Sequence, residues 1–323
     1  MKKIRIGIVG GAGYTAGELI RILLYHPNAV LKYIQSSSNN GQPVSSVHHD
    51  LLDETELNFS DIDPEQVDLL FLCSGHGKSL EYMANTMLPE HVKIIDLSHD
   101  FRLKRAGNDF VYGLPELNRK IIKQAARIAN PGCFATGIQL ALLPLAAAGL
   151  ICDDLHVNAI TGSTGAGQAP TKTSHFSWRD NNLSVYKAFE HQHLGEIVQS
   201  LKQAQPGLNH RLHFIPVRGN HTRGIFTMAY TRFEGTLADA CQLYATYYLS
   251  HPFVHLTDEN PDMKQVVNTN KCLLYLEKHG DQLMVVSCID NLLKGASGQA
   301  VQNMNLMFGI DEKAGLNLKA VAF

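Results

Sequence analysis

Residues 4–19 read IRIGIVGGAGYTAGEL, and this stretch decides the fold. Ile4 to Val9 has the pattern of a short apolar strand, and the glycine-rich segment G-x-x-G-x-x-A follows it at once and opens a helix. A turn this tight lets the backbone approach a pyrophosphate, and the helix N-terminus directs bare N–H groups at the negative charge. The alternative is a turn that serves only to pack the helix on the sheet. We expect a dinucleotide site that includes Gly10, Gly13, Tyr14, Thr15 and Ala16.

The end of the second predicted strand, Val30 to Gln35, bears on the choice of dinucleotide. An NAD site usually places a carboxylate there to hold the ribose hydroxyls. This chain instead has Ser36, Ser37 and Ser38, followed by two asparagines. Because neutral hydroxyls and amides tolerate a 2′-phosphate, the sequence favours NADP(H) over NAD. The alternative is that Ser36 to Asn40 form only a polar loop, which would not indicate which dinucleotide binds.

Predicted strands and helices alternate through the first third of the chain, which is typical of a doubly wound parallel sheet with helices on both faces. After Asn130 the pattern changes to a long apolar helix, from Cys133 to about Ala148, and then to loops and strand-like pieces. We expect an α/β Rossmann domain that binds NADP over residues 1–132, completed by a C-terminal helix at about 293–323. Residues 133–292 are expected to form an α+β domain with a mixed sheet for catalysis, substrate binding and oligomerisation.

The composition excludes several classes of protein. The chain has 323 residues, 45% of them hydrophobic, which is enough to bury a core and favours two domains. Lys and Arg total 28 against 30 Asp and Glu, and no basic run stands out, so no nucleic-acid partner is expected. The longest apolar stretch, Ile138 to Ile151, is shorter than the ~20 residues of a membrane span, so no membrane association is expected. No signal-peptide pattern opens the chain.

The six cysteines lie at least 16 residues apart, which indicates a reducing, cytoplasmic compartment rather than a disulfide framework.

Cys133 has a local context that the other cysteines lack. In Asn130-Pro131-Gly132-Cys133, asparagine is a good N-cap and proline a good first helical residue, which puts Cys133 in the first turn of a helix. The helix dipole there favours a thiolate, and the same N–H groups suit an oxyanion. The alternative is that Cys133 is packed in the first turn of the helix and has no catalytic role.

A nucleophilic thiol needs a proton acceptor, and the chain has 16 histidines. His191 and His193 form an H-x-H segment, and His48, His49, His76 and His221 are rivals. No third or fourth ligand stands at a familiar spacing, so no metal site is expected.

Six stretches, spread in order over most of the chain, resemble the N-acetyl-gamma-glutamyl-phosphate reductase family. They are GGAGYTAGEL from Gly10, DLLFLCSGHG from Asp68, IIDLSHDFRL from Ile94, VYGLPELNR from Val111, NPGCFATG from Asn130 and DNLLKGASGQAVQNMNLMFG from Asp290. HQHLGEI from His191 is similar to the family's H-R-H-x-P-E-I segment. The resemblance implies a Rossmann domain and a catalytic domain related to those of aspartate-semialdehyde dehydrogenase.

The resemblance also implies an activity and residues to perform it. The activity is NADPH-dependent reductive dephosphorylation of N-acetyl-gamma-glutamyl phosphate to N-acetyl-glutamate 5-semialdehyde through a cysteine thioester, in arginine biosynthesis. Cys133 maps onto the nucleophile, and His191 onto the acid/base, with His193 as the rival. Ser74 and Asn291 join the expected cofactor site. Arg102, Ser163, Gly165, His193 and Arg223 are the expected substrate residues. The substrate anions need cations, for which Arg105, Arg179, Arg218 and Lys294 are further candidates. Family members are usually homo-oligomers, so a homodimer or homotetramer is expected.

The chain departs from the family pattern at three places where substrate is expected to bind. His99 replaces the alanine of S-A-D-F, Gln168 stands where an arginine is frequent, and Val217 replaces the histidine of P-H. These changes leave open whether the N-substituent of the substrate is acetyl or succinyl. Two other functions also stay open: aspartate-semialdehyde dehydrogenase or a related reductase of carrier-bound aminoadipyl phosphate, and a non-catalytic NADP sensor.

Overall fold

A computed structural model describes residues 2–322, and the chain divides into two compact units. One unit extends to Pro131 and includes Ala296–Asn317. The other comprises Gly132–Gly295 together with the residues from Leu318 onward. The eight α-helices of the described part are α1 Tyr14–Leu24, α2 Lys78–Asn85, α3 Pro115–Ile122, α4 Cys133–Ala147, α5 Phe176–Arg179, α6 Leu194–Ala204, α7 Leu237–Tyr248 and α8 Ser297–Met307.

The first unit contains a parallel sheet of six strands. They are β1 Ile4–Val9, β2 Ala29–Gln35, β3 Leu69–Leu72, β4 Lys93–Asp96, β5 Val111–Tyr112 and β6 Arg127–Ala129. The strand order is β2-β1-β3-β4-β6-β5, so the order reverses between β1 and β3. In open α/β sheets ligands bind at the carboxyl ends of the strands beside such a reversal. The predicted doubly wound parallel sheet is confirmed.

The helix α8 near the end of the chain packs within the first unit. Ser297 Oγ donates to the carbonyl of Thr15 at 2.8 Å, and Asn303 Nδ2 donates to the carbonyl of Gly113 at 2.8 Å. The helix begins at Ser297 rather than at Leu293, because Asp290 Oδ1 accepts from the N–H groups of the preceding turn and holds that turn outside the helix.

The second unit contains a mixed sheet of seven strands, which confirms the predicted α+β architecture. They are β7 Leu155–Thr161, β8 Ser184–Val185, β9 Leu212–Arg218, β10 Ile225–Arg232, β11 Val254–Leu256, β12 Cys272–His279 and β13 Gln282–Ile289, in the order β11-β12-β13-β10-β7-β9-β8. Short 3₁₀ turns complete the described elements of the chain, at Val44–Ser46, His49–Leu51, Pro64–Gln66, Ser163–Ala166 and Met263–Gln265.

Helix α4 is the centre of the second unit. Its residues from Phe134 to Ala146 are all buried, and the helix contacts α6, α7 and the central strands β10 and β13. A helix that is apolar on all sides is stable only when it is enclosed. Along β7 every second residue, from Leu155 to Thr161, is buried, and the residues between them are half-buried. The helices therefore cover one face of this sheet.

Candidate active site

The glycine turn after β1 has both the space and the donors that a pyrophosphate needs. Gly10 has a φ of +79°, and a Cβ there would lie 2.6 Å from the backbone N of Ser74. At Gly13, the N-cap of α1, a Cβ would meet nothing closer than the Gly10 carbonyl at 4.0 Å. The α1 N-terminus has no side-chain cap and no acidic residue in its first turn. The fold itself thus requires Gly10, whereas the space beside Gly13 is open to a ligand.

The remaining cofactor candidates of the first unit lie around the same turn. The N–H of Gly11 donates to the carbonyl of Gln35 at 2.7 Å, which joins the turn to the end of β2. Ser74, two residues after the end of β3, lies beside Gly10. Beyond β2, Asn39 Nδ2 donates to the hydroxyls of Ser36 and Ser38, each at 2.9 Å. The structure therefore brings Gly10, Gly13, Tyr14, Thr15, Ala16, Ser36, Ser37, Ser38 and Ser74 to one edge of the parallel sheet.

Cys133 is the first residue of α4, and Gly132 is the N-cap. The predicted cap, Asn130, is wrong: its N–H donates to the carbonyl of Asp96 at 2.8 Å, which continues the β4–β6 ladder, and its side chain donates to the carbonyl of Ala296 at 3.0 Å. Because Asn130 still hydrogen-bonds to the last residue of β4, the helix starts three residues later, at Cys133. Gly132 has no side chain to accept from the N–H groups that follow it, so these N–H groups can support an anion next to Cys133.

His191 and His193 are both buried beside Phe134, the residue that follows Cys133. Their ring centroids lie 5.3 Å and 6.3 Å from that of Phe134. The N–H of His193 donates to Nδ1 of His191 at 3.2 Å, so a neutral His191 ring carries its proton on Nε2. Burial, with a smaller contribution from the charge of Lys187, lowers the pKa of His191 to about 4. His191 is therefore an uncharged hydrogen-bond donor near neutral pH.

Glu196 joins these groups, although sequence reasoning did not identify it. Its Oε2 accepts from the N–H of Gly132 at 3.0 Å, and its Oε1 lies 3.9 Å from Nε2 of His193. The carboxylate is buried, so its charge acts with little screening on the cysteine-bearing helix end and on His193. The sequence signal that could have identified Glu196 is its position three residues after His193, in the first turn of α6.

Tyr186 is a further residue that sequence reasoning did not place in the site, and Arg218, one of the predicted candidate cations, lies beside it. The Tyr186 ring lies 5.8 Å from that of His191, and the Arg218 guanidinium carbon lies 4.7 Å from the Tyr186 centroid. Burial and, to a smaller extent, the charge of Cys133 raise the pKa of Tyr186 to about 12, while Arg218 opposes the rise. The phenol therefore stays protonated near neutral pH.

The substrate and cofactor candidates Ser163, Gly165, Arg223 and Asn291 come together in the second unit. Asn291 Oδ1 accepts from the N–H of Gly224 at 2.7 Å, and its Nδ2 donates to Thr164 Oγ1 at 3.0 Å. Asn291 thus joins the turn that holds Ser163 and Gly165 to the turn that holds Arg223. Arg223 pairs with the buried carboxylate of Asp290 at 2.9 Å, which neutralises its charge.

Arg102 belongs to the first unit, where its guanidinium donates to backbone carbonyls. Nε donates to Asn130 at 2.9 Å, and an Nη donates to Leu97 at 3.1 Å. These contacts hold the segment that follows β4 against the end of β6.

One group of metal-capable side chains comes close together within residues 2–322, at Asp153, Asp154 and His210. It excludes the H-x-H segment, and the Asp154 carboxylate already accepts from the N–H of Arg211 at 2.8 Å and pairs with His213 at 2.9 Å. In the same range, no helix is both long and apolar enough to cross a membrane.

Comparison with known proteins gives consistent matches. Residues 5–125 match the family model described as semialdehyde dehydrogenase, NAD binding domain, and residues 133–291 match semialdehyde dehydrogenase, dimerisation domain. The chain is 58% identical over 321 residues to a protein of Parabacteroides distasonis named N-acetyl-gamma-glutamyl-phosphate reductase, covering 99% of this chain and 100% of that protein. A protein of the same name from Christiangramia forsetii is also 58% identical, over 320 residues, with the same coverage.

Solved structures show the same fold at low sequence identity. Aspartate semialdehyde dehydrogenase II from Vibrio cholerae, complexed with ASA, has a TM-score of 0.74 at 16% identity, covering 96% of this chain and 99% of that chain. Aspartate semialdehyde dehydrogenase with NADP from Candida albicans has a TM-score of 0.71 at 14% identity, covering 94% and 98%.

Proposed function

The chain belongs to the N-acetyl-gamma-glutamyl-phosphate reductase family, and on that premise we propose that Cys133 is the nucleophile of its reaction. The reaction is the NADPH-dependent reduction of N-acetyl-gamma-glutamyl phosphate to N-acetyl-glutamate 5-semialdehyde with release of phosphate, a step of arginine biosynthesis. One observation carries the assignment: Cys133 is the first residue of α4, directly after the N-cap Gly132, with two buried histidines packed against the next residue.

The first half of the reaction forms a thioester on Cys133. The sulfur attacks the gamma-carbonyl carbon, the bond from that carbon to the phosphate oxygen breaks, and inorganic phosphate leaves with the electron pair. Of the two candidates for the acid/base, His191 and its rival His193, we assign the thiol proton to His193, because the pKa of His191 is lowered to about 4. The Glu196 carboxylate, 3.9 Å from Nε2 of His193, stabilises the resulting imidazolium. The N–H groups at the start of α4 hold the negative oxygen, and one such donor is typically worth ~10²–10³ in rate.

We assign His191 as the hydrogen-bond donor to the reacting carbonyl oxygen. Because its Nδ1 accepts from the His193 N–H, the neutral ring donates from Nε2 and polarises the carbonyl. NADPH, when bound, supplies the hydride that reduces the thioester carbon. The carbon–sulfur bond then breaks, its electron pair returns to sulfur, and His193 gives the proton back to Cys133 while the aldehyde leaves.

Binding of NADP(H) is assigned to the Gly10–Ala16 turn and the serines after β2. The matched NAD-binding model, the open space at Gly13 and the neutral Ser36–Ser38 segment support this choice. Asn291 is assigned a positioning role in the second unit. It joins the turn at Ser163 and Gly165 to the turn at Arg223 and so holds these residues for substrate. Arg102 contributes indirectly, by fixing the Asn130 carbonyl.

The chain is an oligomer-forming member of its family, and we assign a homodimer or homotetramer in the cytoplasm. The dimerisation match over residues 133–291 supports self-association, as does the sheet face opposite α4. That face carries half-buried Ile160 on β7 and Met228 on β10, and the more exposed Tyr230. The six free cysteines suit a reducing compartment.

The reverse reaction tests the proposed function. The purified chain is given NADP, inorganic phosphate and N-acetyl-glutamate 5-semialdehyde, and the absorbance of the reduced nicotinamide is followed. We expect phosphate-dependent formation of NADPH, which Cys133→Ser abolishes while still binding NADP. Phosphate-independent reduction of NADP, or wild-type turnover by Cys133→Ser, would contradict the thioester route.

A further inference from the structure

Arg218 is the last residue of β9 and lies on the face of the sheet that α4 covers. Phe214 and Pro216, four and two residues earlier on the same strand, are buried on that face, and the Phe214 ring lies 5.2 Å from Phe134. Because side chains alternate along a strand, Arg218 faces the same way. Its guanidinium lies over Tyr186, whose ring contacts His191.

The charge of Arg218 is not balanced by the protein. Among residues 2–322 no carboxylate pairs with Arg218, and its Nε is buried without a hydrogen-bond partner. Arg223 differs, because Asp290 neutralises it. A partly buried cation with an unused donor costs free energy that an incoming anion recovers.

A second guanidinium stands beside Arg218 and increases the local positive charge. Arg179 is buried, and its Nη1 donates to the carbonyl of Arg218 at 2.9 Å. Its other donors reach the carbonyl of Thr173 and the hydroxyl of Ser184, at 3.3 Å and 3.2 Å. Arg179 therefore holds Arg218 in place through the backbone, and Arg218 is the cation with donors left for a ligand.

The position of Tyr186 decides which part of the substrate Arg218 meets. The Arg218 guanidinium lies 4.7 Å from the Tyr186 ring, that ring lies 5.8 Å from His191, and His191 packs on Phe134, the residue after Cys133. An anion held by Arg218 is thus displaced from the reacting carbon by about one aromatic side chain. That displacement does not suit the leaving phosphate, whereas the planar fork of arginine suits a carboxylate.

We propose that Arg218 binds a carboxylate of the substrate that is remote from the reacting carbonyl, and so determines which N-acyl-glutamyl compounds the enzyme accepts. This proposal rests on the proposed function. Two groups share this chemistry: the α-carboxylate of the glutamyl unit, and the terminal carboxylate of a dicarboxylic N-acyl group such as succinyl.

The test uses Arg218→Gln and the conservative Arg218→Lys in the reverse reaction, with N-acetyl- and N-succinyl-glutamate semialdehyde as alternative substrates. Arg232→Gln is the matched control, because Arg232 is exposed at the far end of β10 and pairs with Glu234. For Arg218→Gln we expect KM to rise ~10–100-fold with kcat changed less than ~3-fold. Arg218→Lys should lie between the wild type and Arg218→Gln, because it keeps the charge and loses the bidentate geometry.

The pattern of the KM changes identifies the carboxylate. A rise with both substrates assigns the α-carboxylate, and a rise with the succinyl compound alone assigns the acyl carboxylate. An unchanged KM with both substrates, or a fall in kcat at constant KM, overturns the proposal.

Calorimetric titration with N-acetylglutamate and N-succinylglutamate gives a second readout. Arg218→Gln should weaken the binding of at least one of these compounds ~10-fold or more. Binding that is unchanged for both overturns the role of Arg218, whereas a wild-type chain that binds but does not turn over contradicts the proposed function alone.

Discussion

The buried carboxylate of Glu196 accepts a hydrogen bond from the N–H of Gly132 at 3.0 Å, and Gly132 immediately precedes Cys133. The same carboxylate lies 3.9 Å from His193. One side chain thereby joins the start of the cysteine-bearing helix to the proposed base. We treat Glu196 as a positioning residue, since it acts through Gly132 and His193.

Glu196→Gln should lower kcat by ~10–100-fold with little change in KM, because the amide oxygen still accepts from Gly132 while the charge beside His193 is lost. Glu196→Ala should also lose stability, by about 1–3 kcal/mol, because the buried Gly132 N–H is left without its acceptor. Steady-state kinetics and denaturant unfolding measure the two effects. Glu81→Gln, which removes an exposed carboxylate on α2, is the control. Equal losses of kcat in Glu196→Gln and Glu81→Gln would contradict the positioning role.

His191 predicts a pH dependence of stability. Its pKa is about 4 in the folded chain against about 6.5 in an unfolded one. Between these values the unfolded state binds a proton that the native state does not, so stability falls as the pH falls from about 6.5 to about 4, and His191 contributes no pH dependence above about 7. Between pH 7 and pH 5 the wild type should lose roughly 1–2 kcal/mol more than His191→Gln. Denaturant unfolding at both pH values measures the difference, and identical losses would show that His191 titrates normally.

The two glycines of the β1 turn should respond differently to alanine. Gly10→Ala should destabilise the fold, because φ is +79° and the new Cβ would lie 2.6 Å from the backbone of Ser74. Gly13→Ala has room inside the protein, so its Tm should stay within a few degrees of wild type while the NADPH Kd rises ~10-fold or more. Thermal unfolding and fluorescence titration separate the two cases. A Gly13→Ala chain with wild-type NADPH affinity would place the pyrophosphate elsewhere.

The serines after β2 predict the cofactor preference. Ser37→Asp adds a carboxylate at an exposed position in a loop of neutral hydroxyls, and repulsion of the 2′-phosphate should raise the KM for NADPH ~10-fold while the KM for NADH stays the same or falls. Ser46→Asp, on the exposed 3₁₀ turn further along, is the control. If both variants keep the wild-type ratio of the two KM values, Ser37 does not face the ribose.

Local sequence patterns predicted the helices and strands. The features that the sequence did not predict depend on contacts between residues far apart in the chain. The turn at Gly10 and the start of α4 at Cys133 follow from glycine spacing and apolar periodicity, so both were predictable. The cap at Asn130 was misjudged because its pairing with Asp96 depends on a strand 34 residues earlier in the chain. Glu196 resembles an ordinary first-turn acid until α6 packs on α4 and brings it to Gly132.

The contact between Tyr186 and Arg218 could not be predicted from the sequence for a similar reason. The departure at Val217 drew attention to this strand, but alternation sends Val217 to the opposite face and Arg218 toward α4. The antiparallel pairing of Ser184 with Arg218, between β8 and β9, then puts Tyr186 beneath the guanidinium. A two-residue strand carries too little periodicity to be predicted from sequence.

The most direct test of the account is whether Cys133 carries the acyl group. The chain is mixed with N-acetyl-gamma-glutamyl phosphate without NADPH, quenched in acid, and digested for peptide mass spectrometry. We predict an N-acetyl-glutamyl adduct on the peptide containing Cys133, released phosphate in equal amount, and neither in Cys133→Ser. Stoichiometric phosphate release with Cys133 unmodified, or an adduct on another cysteine, would contradict the account.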